Sequence, residues 1–489
     1  MAPPSFVVRP GVLRPSRHAA DAVAPVRPRH WQRQLIQLLR ARLVGAAPAG
    51  HDVLVHAGPG AGKTLGALLA FAALQREGRL DRFLVFCHRT AIAGQWQQAA
   101  ARLGLGLLPW DPGCRPDDHA WDGLLISYQS VGRSLVPLQR DLPALGLGRW
   151  LAIADEVHHL GLDPEEPEAA SWGPAFSGLT AAAPLRLGLT GTPFRADNLA
   201  FSAARRETVR EGSTVLERIV PDLSVEPRQL IATGDVRPLE FRFQDGWVDH
   251  GRPDRPGALH TSSLSQEERE SWRARNLRRA IRLGDGSGIA LQVLLRARHR
   301  LERLRAGHPG AGGLVVARDI AHARGISRLL AEQGDRVHLV HSQDARAPAR
   351  LAAFRAGEAD WLVSVDMCAE GFDAPRLRVV AYLTTVVTRS RFLQAITRAV
   401  RIDAARAGLE GVPREPSSVF APADPLLIGH ARSWALSEPY RIRSGPAPAS
   451  QGGGNGGAAV PPLEAMAARV GAMIRVGGPE LPFFLADRV

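Results

Sequence analysis

The chain has 489 residues, with 61 Lys and Arg against 48 Asp and Glu and a formal net charge of +13. That length calls for two or three domains, the 45% hydrophobic content supplies their cores, and no apolar run is long enough to span a bilayer. Three cysteines without C-x-x-C spacing argue against a disulfide scaffold or a zinc site and fit reduced thiols of a cytoplasmic protein.

The positive charge favours a polyanionic partner such as nucleic acid. Arginine is abundant throughout, so a general compositional bias explains the charge equally well. Residues 1–28 carry several Arg and Pro, a single acid at Asp21 and no apolar core of a secretory signal. They read as a basic disordered arm. The alternative, an organellar transit peptide, is opposed by the prolines.

From 29 to 235, helical patterns alternate with short apolar strands. Helices are expected over Trp31–Arg42, Thr64–Gln75 and Ala91–Leu103. Strands are expected at Val53–Val55, Phe83–Cys87, Leu124–Ser127, Trp150–Ala154 and Leu185–Leu189. Such alternation predicts an α/β domain with a parallel sheet. Residues 236–288 are polar and Arg- and Asp-rich, and read as a connecting segment. The alternation resumes over 289–440 with strands Leu314–Ala317, Val337–Val340, Trp361–Val365 and Leu377–Leu383. Helices Ile320–Gln333, Arg346–Ala356 and Ser390–Val400 accompany them. A Gly-, Pro- and Ser-rich run over 441–460 reads as a flexible linker. In 461–489, Leu463, Met466, Val470, Met473 and Ile474 recur at helical spacing, predicting an amphipathic helix over Pro462–Val476. It is expected to dock on a partner protein or another copy, or else on this chain's own second domain.

Lys63 is the only lysine; every other basic residue is arginine. It stands in Ala57-Gly58-Pro59-Gly60-Ala61-Gly62-Lys63-Thr64, between an expected strand and an expected helix. Glycines there let backbone N–H groups turn inward on phosphate, and the helix adds its positive end. A compact ammonium fits such a ring where a guanidinium does not. Gly58, Gly60, Gly62 and Lys63 are therefore candidate nucleotide-binding residues, with Thr64 a ligand for Mg²⁺. The first position of the strict pattern is Ala57 rather than Gly. Strand Trp150–Ala154 runs into Asp155-Glu156-Val157-His158, which puts carboxylates at the carboxyl end of a buried strand. Asp155 is a candidate Mg²⁺ ligand and Glu156 a candidate general base. A solvated loop after a strand gives the same residues.

Taken together, Lys63-Thr64 and Asp155-Glu156-Val157-His158 resemble a superfamily 2 helicase of the DEAD/DEAH and type III restriction-subunit-like branch. Further segments follow in the family's order over about residues 29–435. Arg29-His30-Trp31-Gln32 resembles the upstream signature whose glutamine, here Gln32, reads adenine. His88-Arg89-Thr90 through Gln95-Trp96 resembles motif Ia. Ser127-Tyr128-Gln129-Ser130 resembles a segment that touches the nucleic-acid backbone. Thr190-Gly191-Thr192-Pro193 resembles motif III, with Gly191 where Ala is usual. Ser364-Val365-Asp366 with Glu370-Gly371-Phe372-Asp373 resembles motif V. Gln394 through Arg401 resembles motif VI.

The resemblance implies two tandem RecA-like P-loop domains with parallel sheets, ATP with Mg²⁺, and a nucleic-acid partner. It adds Gly371 and Asp373 to the nucleotide contacts. It assigns strand contacts to Arg89, Thr90, Tyr128, Gln129, Ser364 and Thr384, and coupling to His158, Thr190 and Thr192. Thr90 reads equally well as a helix N-cap and Ser364 as a plain strand residue. Gln394, Arg398 and Arg401 at i, i+4 and i+7 share one helix face and become catalytic groups, the arginines acting as fingers. The activity so implied is ATP-driven translocation on, or unwinding of, nucleic acid, with DNA first. A double-strand translocase, an RNA helicase subunit of a larger assembly, and a nucleotide-gated scaffold without turnover are the other readings. With one lysine already engaged, these residues hold no lysine-dependent nuclease centre.

Overall fold

A computed structural model of the chain describes residues 26–44, 51–88, 90–113, 121–160, 169–191, 201, 206–211, 214–252, 255–284, 288–365, 372–403, 406–435 and 464–476. The expected arm up to residue 25, the expected linker 441–460, residues 477–489, Arg89, Thr192 and Gly371 lie outside these, as do the side chains of Thr90 and His158. The chain forms two compact units whose main division falls between Ser224 and Val225. Among the described residues no helix is long and apolar enough to cross a membrane.

In the first unit the strands are β1 (Asp52–Ala57), β2 (Arg82–Cys87), β3 (Leu107–Pro109), β4 (Gly123–Ser127), β5 (Trp150–Asp155) and β6 (Leu185–Thr190). A separate hairpin of β7 (Arg206–Glu211) and β8 (Thr214–Ile219) precedes β9 (Leu223–Val225). The sheet order is β3-β4-β2-β5-β6-β1-β9, and the pairings among β1 to β6 are parallel. Helices α1 (His30–Val44), α2 (Lys63–Arg76), α3 (Thr90–Arg102), α4 (Tyr128–Arg133), α5 (Leu135–Ala144) and α6 (Ala169–Thr180) accompany it. β1, β2 and β5 are buried almost end to end, which is why they are written in Val, Leu, Ile, Phe and Ala. Asp52 and Arg186 stand opposite each other in β1 and β6 and form a two-bond ion pair at 2.6 and 2.8 Å. That pair fixes the register of the strand leading into the glycine-rich loop.

The second unit holds α7 (Pro227–Ala232), β10 (Leu239–Arg252), β11 (Arg255–Ser263), α8 (Glu270–Ala280), α9 (Gly288–Gly307), β12 (Gly312–Ala317), α10 (Ile320–Glu332) and β13 (Val337–Val340). It continues with α11 (Ala347–Ala356), β14 (Trp361–Ser364), β15 (Leu377–Leu383), α12 (Arg389–Ile396), β16 (Ser417–Pro422), α13 (Pro425–Ala435) and β17 (Glu464–Val476). The sheet runs β11-β10-β16-β15-β12-β14-β13, with β17 also on β10. β10 to β16 and the strands beyond pair in parallel, while β11 and β17 are antiparallel to β10. Leu277, Val293, Leu301, Val315, Trp361 and Phe420 belong to its core.

Two expectations are corrected here. Residues 236–288 are not a polar connector: they contain β10, β11 and α8, and β10 lies within the second sheet. Leu239, Phe241 and Phe243 alternate inward, while Glu240 and Arg242 point out and pair at 2.8 Å. The charged outer face masks a period of two. Residues 464–476 form a strand, not a helix, and they pair with this chain's own β10 from Phe241↔Val476 to Gly251↔Glu464. Without it that edge of β10 would carry a row of unpaired N–H and C=O groups. The close approach also needs Gly246, since a Cβ there would lie 2.3 Å from the Arg469 carbonyl oxygen.

Candidate functional site

The glycine-rich loop follows β1. Gly60 and Gly62 adopt φ of 79° and 81°, a left-handed backbone that favours glycine. Gly62 caps α2 without a side-chain hydrogen bond, and the positive end of the helix lies at this turn. Gln32 is buried and braces this turn. Its Nε2 donates to the Gly62 carbonyl at 3.1 Å, and its Oε1 accepts the Arg29 N–H at 2.9 Å. The amide that the resemblance gives to adenine thus holds the loop. Thr64 stands partly exposed in the first turn of α2.

Parallel strands deliver their carboxyl ends to one edge, and β6 lies between β1 and β5. Lys63, Asp155 and Thr190 therefore come to the same edge. Lys63 Nζ lies 3.4 Å from Glu156 Oε1. Asp155 is 5% exposed; its Oδ1 accepts the Glu156 N–H at 3.1 Å and its Oδ2 accepts the Trp96 indole N–H at 2.8 Å. Burial and then the charge of Glu156 push the Asp155 carboxyl up to about 6, against the opposing pull of Lys63 and the indole. Glu156 has φ of 49°, the one non-glycine residue with positive φ among the described residues. Thr190 is fully buried at the end of β6.

Several expected strand contacts face inward. Tyr128 is fully buried and donates its hydroxyl to the Asp155 carbonyl at 2.9 Å. That corrects its assignment to the nucleic-acid backbone: the ring packs in the core, stacked on Trp172 at 6.0 Å. Ser364 and Thr384 are 1% and 4% exposed, which removes them as surface contacts too. Gln129 is partly exposed.

In the second unit, Arg401 Nη1 pairs with Asp373 Oδ2 at 2.6 Å, and Arg398 Nη1 donates to the Phe372 carbonyl at 2.6 Å. The motif V and motif VI segments are thereby tied together. The expectation of one helix face is corrected. α12 ends at Ile396, a 3-10 turn covers Thr397–Val400, and Arg401 follows in extended conformation with φ of −71° and ψ of 151°. Gln394 Oε1 is buried with no hydrogen-bond partner among the described residues, so it retains an unused acceptor.

The family model for the type III restriction enzyme res subunit matches residues 25–195, and that for the helicase conserved C-terminal domain matches residues 297–403. An uncharacterized protein of Mycobacterium tuberculosis strain H37Rv is 32% identical over 446 residues, covering 88% of this chain and 67% of that protein. The chain belongs to the superfamily 2 helicases, in the branch resembling type III restriction subunits. An uncharacterized protein of Mycobacterium leprae strain TN is also 32% identical, over 447 residues that cover 88% of the helicase chain and 69% of the relative. A fragment assigned to the HsdR subunit of a type I restriction enzyme from Vibrio vulnificus YJ016 superposes with a TM-score of 0.51 at 17% identity. That match covers 83% of this chain and 66% of the fragment, and at such identity it is a likeness of fold. The two sheets are those of tandem RecA-like helicase domains.

The helicase chain carries a donor set that fits Mg²⁺. A threonine hydroxyl and a carboxylate are hard oxygen ligands, too few for a protein cage but suited to a metal that keeps water and phosphate oxygens. The uncapped first turn of α2 suits the phosphates of a nucleotide. Sequence reasoning missed what Trp96 and Tyr128 touch. The signal available was the one aromatic residue of the helix Thr90–Arg102, a tryptophan that ends the motif Ia string.

Proposed function

We propose that this helicase hydrolyses ATP and uses it to translocate on, or unwind, nucleic acid, with DNA as its substrate. The observation that supports this most is Lys63 held 3.4 Å from Glu156 beside the buried carboxylate of Asp155. Glu156 lies beside the ammonium. A nucleotide phosphate takes over that ammonium and frees Glu156 to polarise water and accept its proton. The chemistry Mg²⁺ supplies when bound is neutralisation of phosphate charge, with Thr64 and Asp155 as its protein ligands. Arg398 and Arg401 stabilise charge in the transition state, Arg401 exchanging Asp373 for phosphate during turnover. Gln394 offers its unused acceptor to the water, and Thr190, Thr192 and His158 relay the state of the nucleotide. Gly371 and Asp373 contribute to holding the nucleotide. Gln129, Arg89 and Thr90 supply sequence-independent backbone contacts.

The preference for DNA rests on the match to the family model of a type III restriction enzyme subunit, while the net charge of +13 suits either nucleic acid. That match also suits a subunit of a larger cytoplasmic assembly. Steady-state ATPase assays with single-stranded DNA, duplex DNA and RNA test the reading. Turnover should rise with DNA of any sequence, and DNA binding should weaken steeply with salt. Binding without turnover would leave a nucleotide-gated scaffold, and stronger stimulation by RNA an RNA helicase.

A further inference from the structure

Asp155 is tethered at three points, and two of the tethers come from elements distant in sequence. The Trp96 indole on α3 bonds its Oδ2 at 2.8 Å, and the Tyr128 hydroxyl on α4 bonds its carbonyl at 2.9 Å. The Glu156 N–H bonds Oδ1 at 3.1 Å. Trp96 and Tyr128 are both 0% exposed and are among the largest fully buried side chains of the chain. A core position of that kind is filled more simply by Phe or Leu, which bring no donor needing a partner. Here both donors are aimed at one residue. Each carboxylate oxygen then has one acceptor site engaged and one free. With both oxygens tethered, the carboxylate plane cannot rotate, and the Tyr128 bond pins the last peptide of β5.

We propose that Trp96 and Tyr128 are positioning residues for Asp155, fixing the carboxylate plane and the strand end so that its free acceptor sites face the Mg²⁺ bound with nucleotide. The inference rests on the ATPase reading above. Outer partners of metal ligands act this way through orientation, and losing one typically weakens metal binding about 10–100-fold. Packing alone would make the two residues matter for folding and leave the metal untouched.

Trp96→Phe removes the indole N–H while keeping an aromatic ring, and Tyr128→Phe removes a single oxygen. In full-length protein, Mn²⁺ binding is read by electron paramagnetic resonance in the presence of ATP, and binding of a fluorescent ATP analogue is read with and without Mg²⁺. Trp96→Phe should raise the metal concentration for half-saturation about 10-fold or more, and Tyr128→Phe should raise it by a smaller factor. Metal-free nucleotide binding should change by less than about 2-fold in both, since the phosphate loop is untouched. Folded variants with wild-type metal dependence overturn the inference. If Trp96→Phe fails to fold, an unchanged half-saturation in Tyr128→Phe overturns it. Wild-type protein that binds nucleotide with no metal dependence would instead overturn the ATPase reading itself, so the two failures are told apart.

Discussion

Stability and turnover should part company at Glu156. Its φ of 49° places a side chain in the left-handed region, where an L-residue is disfavoured by about 1–2 kcal/mol. Glycine there is free of that penalty but gains about 0.4–1 kcal/mol of conformational freedom in the unfolded chain. The difference favours Glu156→Gly over Glu156→Ala by about 0.8 kcal/mol, and both variants lose the Lys63 contact equally. At an ordinary position the order is reversed, with alanine ahead by about 0.4–1 kcal/mol. For a unit of this size the gain corresponds to a melting point about 2 °C higher for the glycine variant. Thermal melts and urea midpoints of the two proteins side by side measure it, and an ATPase assay on the same preparations should find both without turnover. An alanine variant as stable as the glycine one would refute stored strain at this residue. Wild-type turnover in either would refute its role as general base.

Lys63→Arg should abolish turnover as Lys63→Ala does, because the broad guanidinium does not fit the ring of N–H groups; near-normal hydrolysis in the Arg variant would remove the phosphate-loop assignment. Arg401→Ala should lower kcat by about 10³-fold or more with little change in nucleotide affinity, as read by single-turnover kinetics and equilibrium binding. Asp52→Asn leaves Arg186 with half its ion pair in a nearly dry site, and should destabilise the first unit by about 3 kcal/mol in urea unfolding. Deleting residues 464–489 uncovers an edge of β10, and should lower the melting temperature of the second unit and cause self-association visible by light scattering.

The first unit was largely legible because its strands are buried on both faces and end in chemically marked loops. Val53–Val55 leads into glycines and the sole lysine, and Trp150–Ala154 into Asp155 and Glu156. Where the sequence misled, two faces of one element differ in character. β10 hides Leu239, Phe241 and Phe243 behind Glu240 and Arg242. In β17, Met473, Ile474 and Val470 recur at three- and four-residue intervals, but β10 offers an open edge and local propensity yields to it. The motif strings named residue types correctly without saying which way they face. Tyr128 and Ser364 sit in such strings and, like Thr384, are buried. Likewise the spacing of Arg398 and Arg401 suits a helix, yet the chain leaves the helix at Ile396.

The long reach of β10 has a consequence for how the molecule is made. Gln244 Nε2 donates to the Gly471 carbonyl at 2.7 Å across 227 residues of chain. Pairings this remote close slowly, because the intervening loop must lose its freedom before any contact rewards it. During synthesis β10 leaves the ribosome long before its partner exists, while every strand of the first sheet is complete by Val225. The first sheet can therefore mature first. Its sequel must wait with one edge bare until residue 476 emerges, and that interval is when a nascent chain is most open to pairing with the wrong strand.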